Sequence, residues 1–367
     1  MKKLIVITSN IAPYRLQWEE ELAKYYDVTI AYTKDKEKER KDGFLKHSSD
    51  KCRIIKLNNP DDRDDPICLD VIKLLRDNKD AFVLFDGYGL KTNMIGMLYY
   101  KLLGKRRYVN VDGYALGEKK NKLKDLLKRW IISSLCTDFF ASSEMTKQHL
   151  IENGAKAERI CVHNFSSVKK ERIIKKPLDK SEKLALRKKL GIESEKRIIL
   201  GVGNFIPRKR FEDLIMACKK IKTDHDLYFL GGKPTEEYLK LIDGDPSVHF
   251  IDFVPPEEVD KYYLSADLFV LPSQTDVWGL VINEAMANGL PVISSANCVA
   301  GLAMIHGNGK VYKTGDINEL TEAIDICLNE DNYQNMALRS LEISQDYNIE
   351  KMVELQKPFI DFYFEGK

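Results

Sequence analysis

Apolar residues come along this chain in two alternating patterns. Short unbroken runs rich in β-branched residues are each followed by stretches in which apolar positions recur every three or four residues. The first pattern reads as a strand buried on both faces and the second as a helix with one buried stripe, so the alternation predicts an α/β protein with parallel sheets. KLIVITS (Lys3 to Ser9) is the first such strand. In NIAPYRLQWEEELAKYY, Pro13 suits a first helical turn, and Leu16, Leu22, Ala23 and Tyr26 share one face before VTIAYT opens a second strand. Residues 34–66 interrupt the pattern with KDKEKERKD and PDDRDDP, which read as solvated loop around a short strand at Arg53 to Leu57. That acidic cluster lacks the spacing of a calcium loop.

AFVLFDGYG (Ala81 to Gly89) and RRYVNVDGYALG (Arg106 to Gly117) are apolar strands that each end in an acid and a glycine. Asp86 and Asp112 therefore either cap the next element, the simpler reading, or face a ligand. Between them NMIGMLYYKLLGKRR predicts a buried helix with a basic end. Residues 119–135 place Leu123, Leu126, Leu127, Trp130, Ile131 and Leu135 at helical spacing, with Lys119, Lys120, Lys122, Lys124, Lys128 and Arg129 elsewhere around the wheel. This is a basic amphipathic helix, suited to an anionic membrane or to the surface of its own domain. DFFASSEMTKQHLIENG reads as a strand, a helix capped by Ser143 and a glycine stop.

Residues 166–196 are highly charged and contain Pro177, which puts a linker near 167–180. RIILGVGNF then restarts the alternation, and YFLGG, VHFIDFV, LFVLP and PVISS supply further strands. The final YNIEKMVELQKPFIDFYF is an amphipathic helix with no strand after it, so it must dock on something already built. The expected domains are 1–170, joined by the helix 346–367 packing back on it, and 178–345.

With 367 residues, two domains are the default, and 44% apolar with 31% charged residues describe a globular protein without a disordered tract. The net charge of +2 conceals an asymmetry: residues 1–176 carry +11 and residues 177–367 carry −9. A basic half suits phosphate-bearing or anionic-membrane partners. No nucleic-acid-binding pattern accompanies it, so nucleic acid is not an expected partner. Seven scattered cysteines without a Cys-x-x-Cys pair argue against a disulfide framework or zinc site and for a reducing, cytoplasmic setting. The apolar run after Lys2 and Lys3 is too short for a signal peptide, and no segment reaches transmembrane length.

Candidate chemistry gathers in LPSQTDVWGLVINEAMANGLP (Leu271 to Pro291). Leu268 to Pro272 reads as a buried strand and Gly279 to Gly289 as a glycine-closed helix. Ser273, Gln274, Thr275 and Asp276 then lie in the loop at the carboxyl end of the strand, where open α/β sheets bind ligands. Asp276 and Glu284 are either two ends of a site or a helix-terminal acid and a solvated glutamate. GVGNFIPRKRFEDLIMA (Gly201 to Ala217) places glycines at a strand end and follows them with Arg208 and Lys209. Glycines permit close backbone approach and adjacent cations suit a diphosphate, while the spacing fits neither a dinucleotide fingerprint nor a P-loop. Together with the amides at Gly279 to Val281, the set offers what a nucleoside diphosphate-sugar needs.

In order and spacing, VGNFIPRKRFEDLIMA, YYLSADLFVLPS and DVWGLVINEAMANGLPVISS resemble the blocks of glycosyltransferase family 4, whose fold is GT-B: two Rossmann-like domains facing a central cleft, with a C-terminal helix crossing back to the N-terminal domain. The likeness covers residues 197–325 well and the N-terminal half weakly. It implies a retaining, metal-independent glycosyltransferase with no cofactor beyond the nucleoside diphosphate-sugar donor, acting on a polysaccharide or lipid-linked acceptor of the cell envelope. Carried over by position, Arg208 and Lys209 would bind the donor diphosphate, Glu284 the ribose, and Asp276 the donor sugar. Gly203, Asn204, Gly279, Leu280 and Val281 would border phosphate or sugar, and Phe253 and Val254 the base. On the acceptor side stand Asp112 and the loop Pro13, Tyr14, Arg15; Arg208, Lys209, Asp276 and Asp112 are the expected catalytic set. The chain departs from the family at Asp276, where Glu is usual, at Ala12 and Pro13, where a glycine pair is usual, and in SSANCVAGLAMIHGNGKVY, which lacks paired glycines followed by an acid. These departures keep two alternatives open, a catalytically silent GT-B binding protein and, less favoured, a nucleotide-sugar epimerase.

Overall fold

The computed structural model describes residues 1–35, 45, 48–59, 62–117 and 121–366. Most of KDKEKERKD, the start of PDDRDDP, and Lys119 and Lys120 lie outside the described residues. The chain forms two α/β units, one of Met1–Tyr114, Lys119–Ser167 and Asn348–Lys367, the other of Ala115–Glu118 and Val168–Tyr347.

In the first unit the described strands are β1 (Lys3–Thr8), β2 (Asp27–Tyr32), β3 (Arg53–Lys56), β4 (Phe82–Asp86), β5 (Tyr108–Val111), β6 (Asp138–Ala141) and β7 (Ile160–Val162). They form one sheet in the order β3-β2-β1-β4-β5-β6-β7, and every pair is parallel. Helices α1 (Pro13–Leu22), α2 (Asp70–Asp77), α3 (Lys91–Leu102), α4 (Lys122–Trp130) and α5 (Glu144–Glu152) connect them. All residues of β4, β5 and β6 are buried, as expected of runs covered on both faces. Pro13 occupies the start of α1, and Ser143 caps α5 through a bond from the Thr146 amide at 3.2 Å.

The second unit repeats the plan. Its described strands β8 (Arg197–Val202), β9 (His225–Leu230), β10 (Val248–Ile251), β11 (Leu268–Leu271), β12 (Val292–Ser295) and β13 (Gly309–Tyr312) lie parallel in the order β10-β9-β8-β11-β12-β13. They are joined by α6 (Lys180–Lys189), α7 (Phe211–Cys218), α8 (Glu236–Ile242), α9 (Val259–Ser265), α10 (Leu280–Ala287), α11 (Val299–Met304), α12 (Ile317–Leu328) and α13 (Glu330–Ser344). The last helix, α14 (Ile349–Glu365), belongs to the first unit. Its Gln356 accepts from the Trp18 indole at 2.9 Å and meets His163 Nδ1 at 2.7 Å, which fixes it against α1 and the end of β7.

Three expectations change. Residues 167–180 are not a solvated linker: Val168 and Ile173 are buried with Ala287 and Leu341, and Arg172 makes a two-pronged pair with Asp260 at 2.9 and 2.7 Å. Lys170, Glu171, Lys175 and Lys176 stay exposed, while Arg172 finds a partner and the isoleucines find a core. Helix α3 is buried on one side only, around Gly96, Met97 and Tyr100, and leaves Leu98 and Leu102 exposed. The helix expected over 119–135 is α4 followed by a π-helical turn at Ile131–Leu135, closed by Cys136 N donating to Ile131 O at 3.2 Å. In this turn Ile131, Ile132 and Leu135 are drawn into the core, while the stripe of α4 before it is not.

Candidate active site

In both sheets the strand order reverses at one place, between β1 and β4 in the first unit and between β8 and β11 in the second. The crevice outside the carboxyl ends of such strands is the usual ligand position in open α/β sheets. A charged cluster occupies it in each unit.

In the second unit, β8 ends at Val202 and the chain turns through Gly203, Asn204 and a single 3-10 turn, Pro207–Lys209, before α7. Gly203 has φ +143°, and a Cβ there would sit 3.3 Å from Lys209 Cε, so the glycine lets the Lys209 side chain lie across the strand end. Lys209 Nζ pairs with Asp276 Oδ2 at 2.7 Å, and Arg208 Nη1 lies 3.6 Å from the same oxygen. Lys209 is almost wholly buried, whereas Arg208 is exposed. Two cations thus share one carboxylate.

The loop carrying Asp276 is braced from both sides. Gln274 N donates to Arg208 O at 2.7 Å, Asn297 Nδ2 to Gln274 O at 2.9 Å, and Asp276 N to Asn297 O at 3.0 Å. Cys298 Sγ lies 2.9 Å from Trp278 O. These contacts give SSANCVAGLAMIHGNGKVY a role that its missing glycine pair did not suggest: it supports the loop of Asp276 from β12. Gly279, at φ +102°, starts α10, and a Cβ there would fall 2.5 Å from Cys298 Sγ. Only glycine fits that turn. It sets the first-turn amides of Leu280 and Val281 at the positive end of α10. The buried hydroxyls of Ser273 and Thr275 have no partner among the described residues, an orphaned state that a ligand would relieve.

Glu284 stands one turn into α10 and accepts from the buried Tyr263 hydroxyl at 2.9 Å. Burial and the neighbouring carboxylate push the Tyr263 phenol well up, so it remains a donor. Tyr263 and Arg172, whose charge also acts on Glu284, were not singled out in the sequence, because each is distant along the chain and carries no local signature. Phe253, exposed, and Val254, half-buried, follow the end of β10.

In the first unit, Asp86 and Asp112 cap nothing. Helix α3 starts at Leu90 without a side-chain cap, and the two acids instead flank Arg15 from α1. Arg15 Nη1 is 2.8 Å from Asp86 Oδ1, and Nη2 pairs with Asp112 Oδ2. Asn110 Nδ2 bridges Asp86 at 3.1 Å and Asp112 at 2.9 Å, while Thr8 Oγ1 donates to Asp86 at 2.8 Å. A buried cation with two carboxylate partners outweighs the capping preference read from strand-end position alone. Burial, with Asp86 adding to it against the opposing charge of Arg15, pushes Asp112 up to about 6. His163 is lowered to about 3 by burial and by Arg15. Pro13 and Tyr14 lie at the head of α1, with Tyr14 edge-on to Phe165 at 6.2 Å.

The structure therefore brings Arg208, Lys209 and Asp276 together in one cluster with Gly203, and Arg15 with Asp112 in another. Glu284 pairs with Tyr263 instead of with Asp276, and Asn204, Phe253 and Val254 occupy the loops after β8 and β10.

Two doubly wound parallel-sheet units of this kind define a GT-B fold. Residues 182–339, within the second unit, match the family described as Glycosyl transferases group 1. A relative from Haemophilus influenzae, named an uncharacterized glycosyltransferase, is 34% identical over 171 residues, 44% of this chain and 48% of the relative. The N-acetyl-alpha-D-glucosaminyl L-malate synthase of Bacillus anthracis is 30% identical over 185 residues, 47% of this chain and 48% of that protein. These matches span about half the length of the relatives. Among solved structures, Anabaena HepE in complex with UDP superimposes with a TM-score of 0.74 at 16% identity, covering 99% of this chain and 100% of that one.

Proposed function

We propose that this protein is a retaining, metal-independent glycosyltransferase that moves a sugar from a nucleoside diphosphate-sugar to a polysaccharide or lipid-linked acceptor of the cell envelope. In this reading it works on the cytoplasmic side, in peripheral contact with an anionic membrane. The observation that carries it is the cluster at the β8/β11 switch point: Lys209 and Arg208 on one carboxylate, beside a helix start and two orphaned hydroxyls. Charge builds on the departing diphosphate as the glycosidic bond opens, and fixed cations aimed there stabilise that state more than the ground state. The relatives named glycosyltransferase and synthase, and the UDP held by HepE, support a nucleotide-sugar donor.

Asp276 pairs with Lys209 at 2.7 Å. A bound donor would take over the cation with its diphosphate and leave Asp276 to accept from sugar hydroxyls. In this reading Asp112, held by Arg15 in the first unit, is the acceptor-side carboxylate that receives a hydroxyl proton.

The test is a thermal-shift screen of nucleoside diphosphates and their sugars, followed by NMR of the product anomer in the presence of EDTA. A donor that binds only the folded state raises the melting temperature by mass action. Retention of configuration with chelator present is expected. An inverted product overturns the retaining clause, loss of turnover with EDTA overturns metal independence, and binding without any transfer favours the silent alternative.

A further inference from the structure

Helix α4 differs from the other helices of its unit in having no buried residue among its nine. Leu123, Leu126, Leu127 and Trp130 fall at i, i+3, i+4 and i+7, so they form one stripe, and they are 77, 65, 53 and 52% exposed. Helix α2 has the same kind of stripe and buries Val71 and Leu75 with it. A contiguous apolar face of this size left in water marks an interaction surface.

The chemistry around the stripe identifies its occupant. Lys122, Lys124, Lys128 and Arg129 flank it, with Asp125 as the single acid of the helix. Asn121 caps the start of the helix by accepting from the Leu123 and Lys124 amides at 3.1 and 3.2 Å, which satisfies two first-turn donors within the helix itself. The other end is tied into the core by Ile131, Ile132 and Leu135 of the π-helical turn. Directly beyond that turn lies a cavity of about 310 Å³, bordered by Ser133 and by Arg106, Arg107, Lys156 and Arg159 around the one carboxylate of Asp138. Arg106 and Arg159 pair with Asp138, while among the described residues the Arg107 guanidinium donates only to the carbonyls of Leu135 and Lys105, at 2.8 and 2.7 Å. An apolar stripe with cations on both flanks and a cationic cavity at its end matches an acyl layer beneath anionic headgroups.

We propose that α4 is the membrane-docking element: Leu123, Leu126, Leu127 and Trp130 enter the interface of an anionic bilayer, and the Arg106–Arg107 cavity receives a headgroup phosphate. This gives the membrane clause of the reading above a surface and rests on that reading only for its purpose, to bring the enzyme to a membrane-bound acceptor.

Trp130 supplies a built-in reporter, because the other two tryptophans, Trp18 and Trp278, are buried. The full-length protein is mixed with vesicles of phosphatidylglycerol and phosphatidylcholine, or of phosphatidylcholine alone. Co-sedimentation and a shift of tryptophan emission to shorter wavelength are expected with the anionic vesicles only. Both should weaken at about 0.5 M salt, where the Debye length is roughly 4 Å. The double variant Leu126→Ser/Leu127→Ser should bind roughly tenfold or more weakly with an unchanged melting temperature, since neither side chain is in the core. Lys122→Gln/Lys124→Gln, which keeps the stripe, should lose affinity mainly at low salt and guards against a folding defect in the first variant. Absence of binding to anionic vesicles overturns the proposal, as does binding that both variants leave intact. A concentration-dependent dimer that the leucine variant abolishes, without vesicle binding, would make a second copy of the chain the occupant and overturn it too. Donor-induced thermal shift, measured alongside, distinguishes the two readings: its loss in the wild-type protein sinks the transferase and leaves the docking element standing.

Discussion

The two units share a strand order and place a charged cluster at the same topological position, yet the clusters have opposite balance. In the second unit Lys209 and Arg208 share Asp276, while in the first Asp86 and Asp112 share Arg15. The second is open on its Arg208 side. The first is closed, with Arg15 buried, and burial pushes Asp112 up and His163 down. One architecture thus sets two cations on one carboxylate in one unit and two carboxylates on one cation in the other. The fold supplies the position, and the side chains at strand ends decide which charge a ligand meets.

The sharpest way to break this comparison is Lys209→Ala, which removes the cation nearest the Asp276 carboxylate. Turnover should fall roughly 10²- to 10³-fold, because the residue meets charge that develops only as the leaving group departs. The melting temperature should change little by comparison, and transfer at near wild-type rate would show that the Lys209 cation is not used.

Asp112→Asn tests the other unit. In the wild type, Asp112 is ionised above pH about 6 and takes up a proton as pH falls through that value, so activity that needs the carboxylate should decline on the acid side with a midpoint near 6. The variant should lose about 10²-fold in turnover and lose that acid limb with it. Linkage gives a second readout. The folded carboxyl, its pKa raised, holds a proton more tightly than the unfolded one, at about 4. Its contribution to stability therefore falls as pH rises from about 4 to about 6, and denaturant titrations across that window should show the slope flatten in the variant.

The smallest expected effect belongs to Gly279→Ala. A left-handed φ at a residue with a Cβ costs about 1–2 kcal/mol, and the clash with Cys298 Sγ adds to it. Equilibrium unfolding should register that loss, and donor affinity should weaken several-fold as the start of α10 shifts. An unchanged affinity would mean that backbone amides there contribute less to the second cluster than its cations do.

Much of the fold was legible because its strands are runs of β-branched residues covered on both faces, which leaves little ambiguity between buried strand and loop. The cap at Ser143 and the proline at the head of α1 were legible for the same local reason. The second unit's cluster could be traced through the spacing of GVGNFIPRKR and DVWGLVINEA, since its residues lie on two consecutive blocks of one domain. The first unit's cluster could be traced only in part: the family resemblance set Arg15 and Asp112 on one side, while Thr8 and Asn110 carried no signal. Thr8, Arg15, Asp86, Asn110 and Asp112 come from three strand ends and a helix, and nothing local distinguishes a strand-end aspartate that caps a helix from one that holds an arginine.

The sequence by itself determined the alternation of elements, the two-domain α/β class and the residue types available at each strand end, because these depend on local propensity and periodicity. Tertiary structure alone decided which charges meet. It set Lys209 against Asp276 and Arg15 between two acids, and turned the charged stretch 167–180 into a packed segment. It also left the stripe of α4 in water while drawing in the residues of the π-helical turn beside it. Pairing and exposure are settled by desolvation and by three-dimensional neighbours, and neither is encoded in the spacing of residues along the chain.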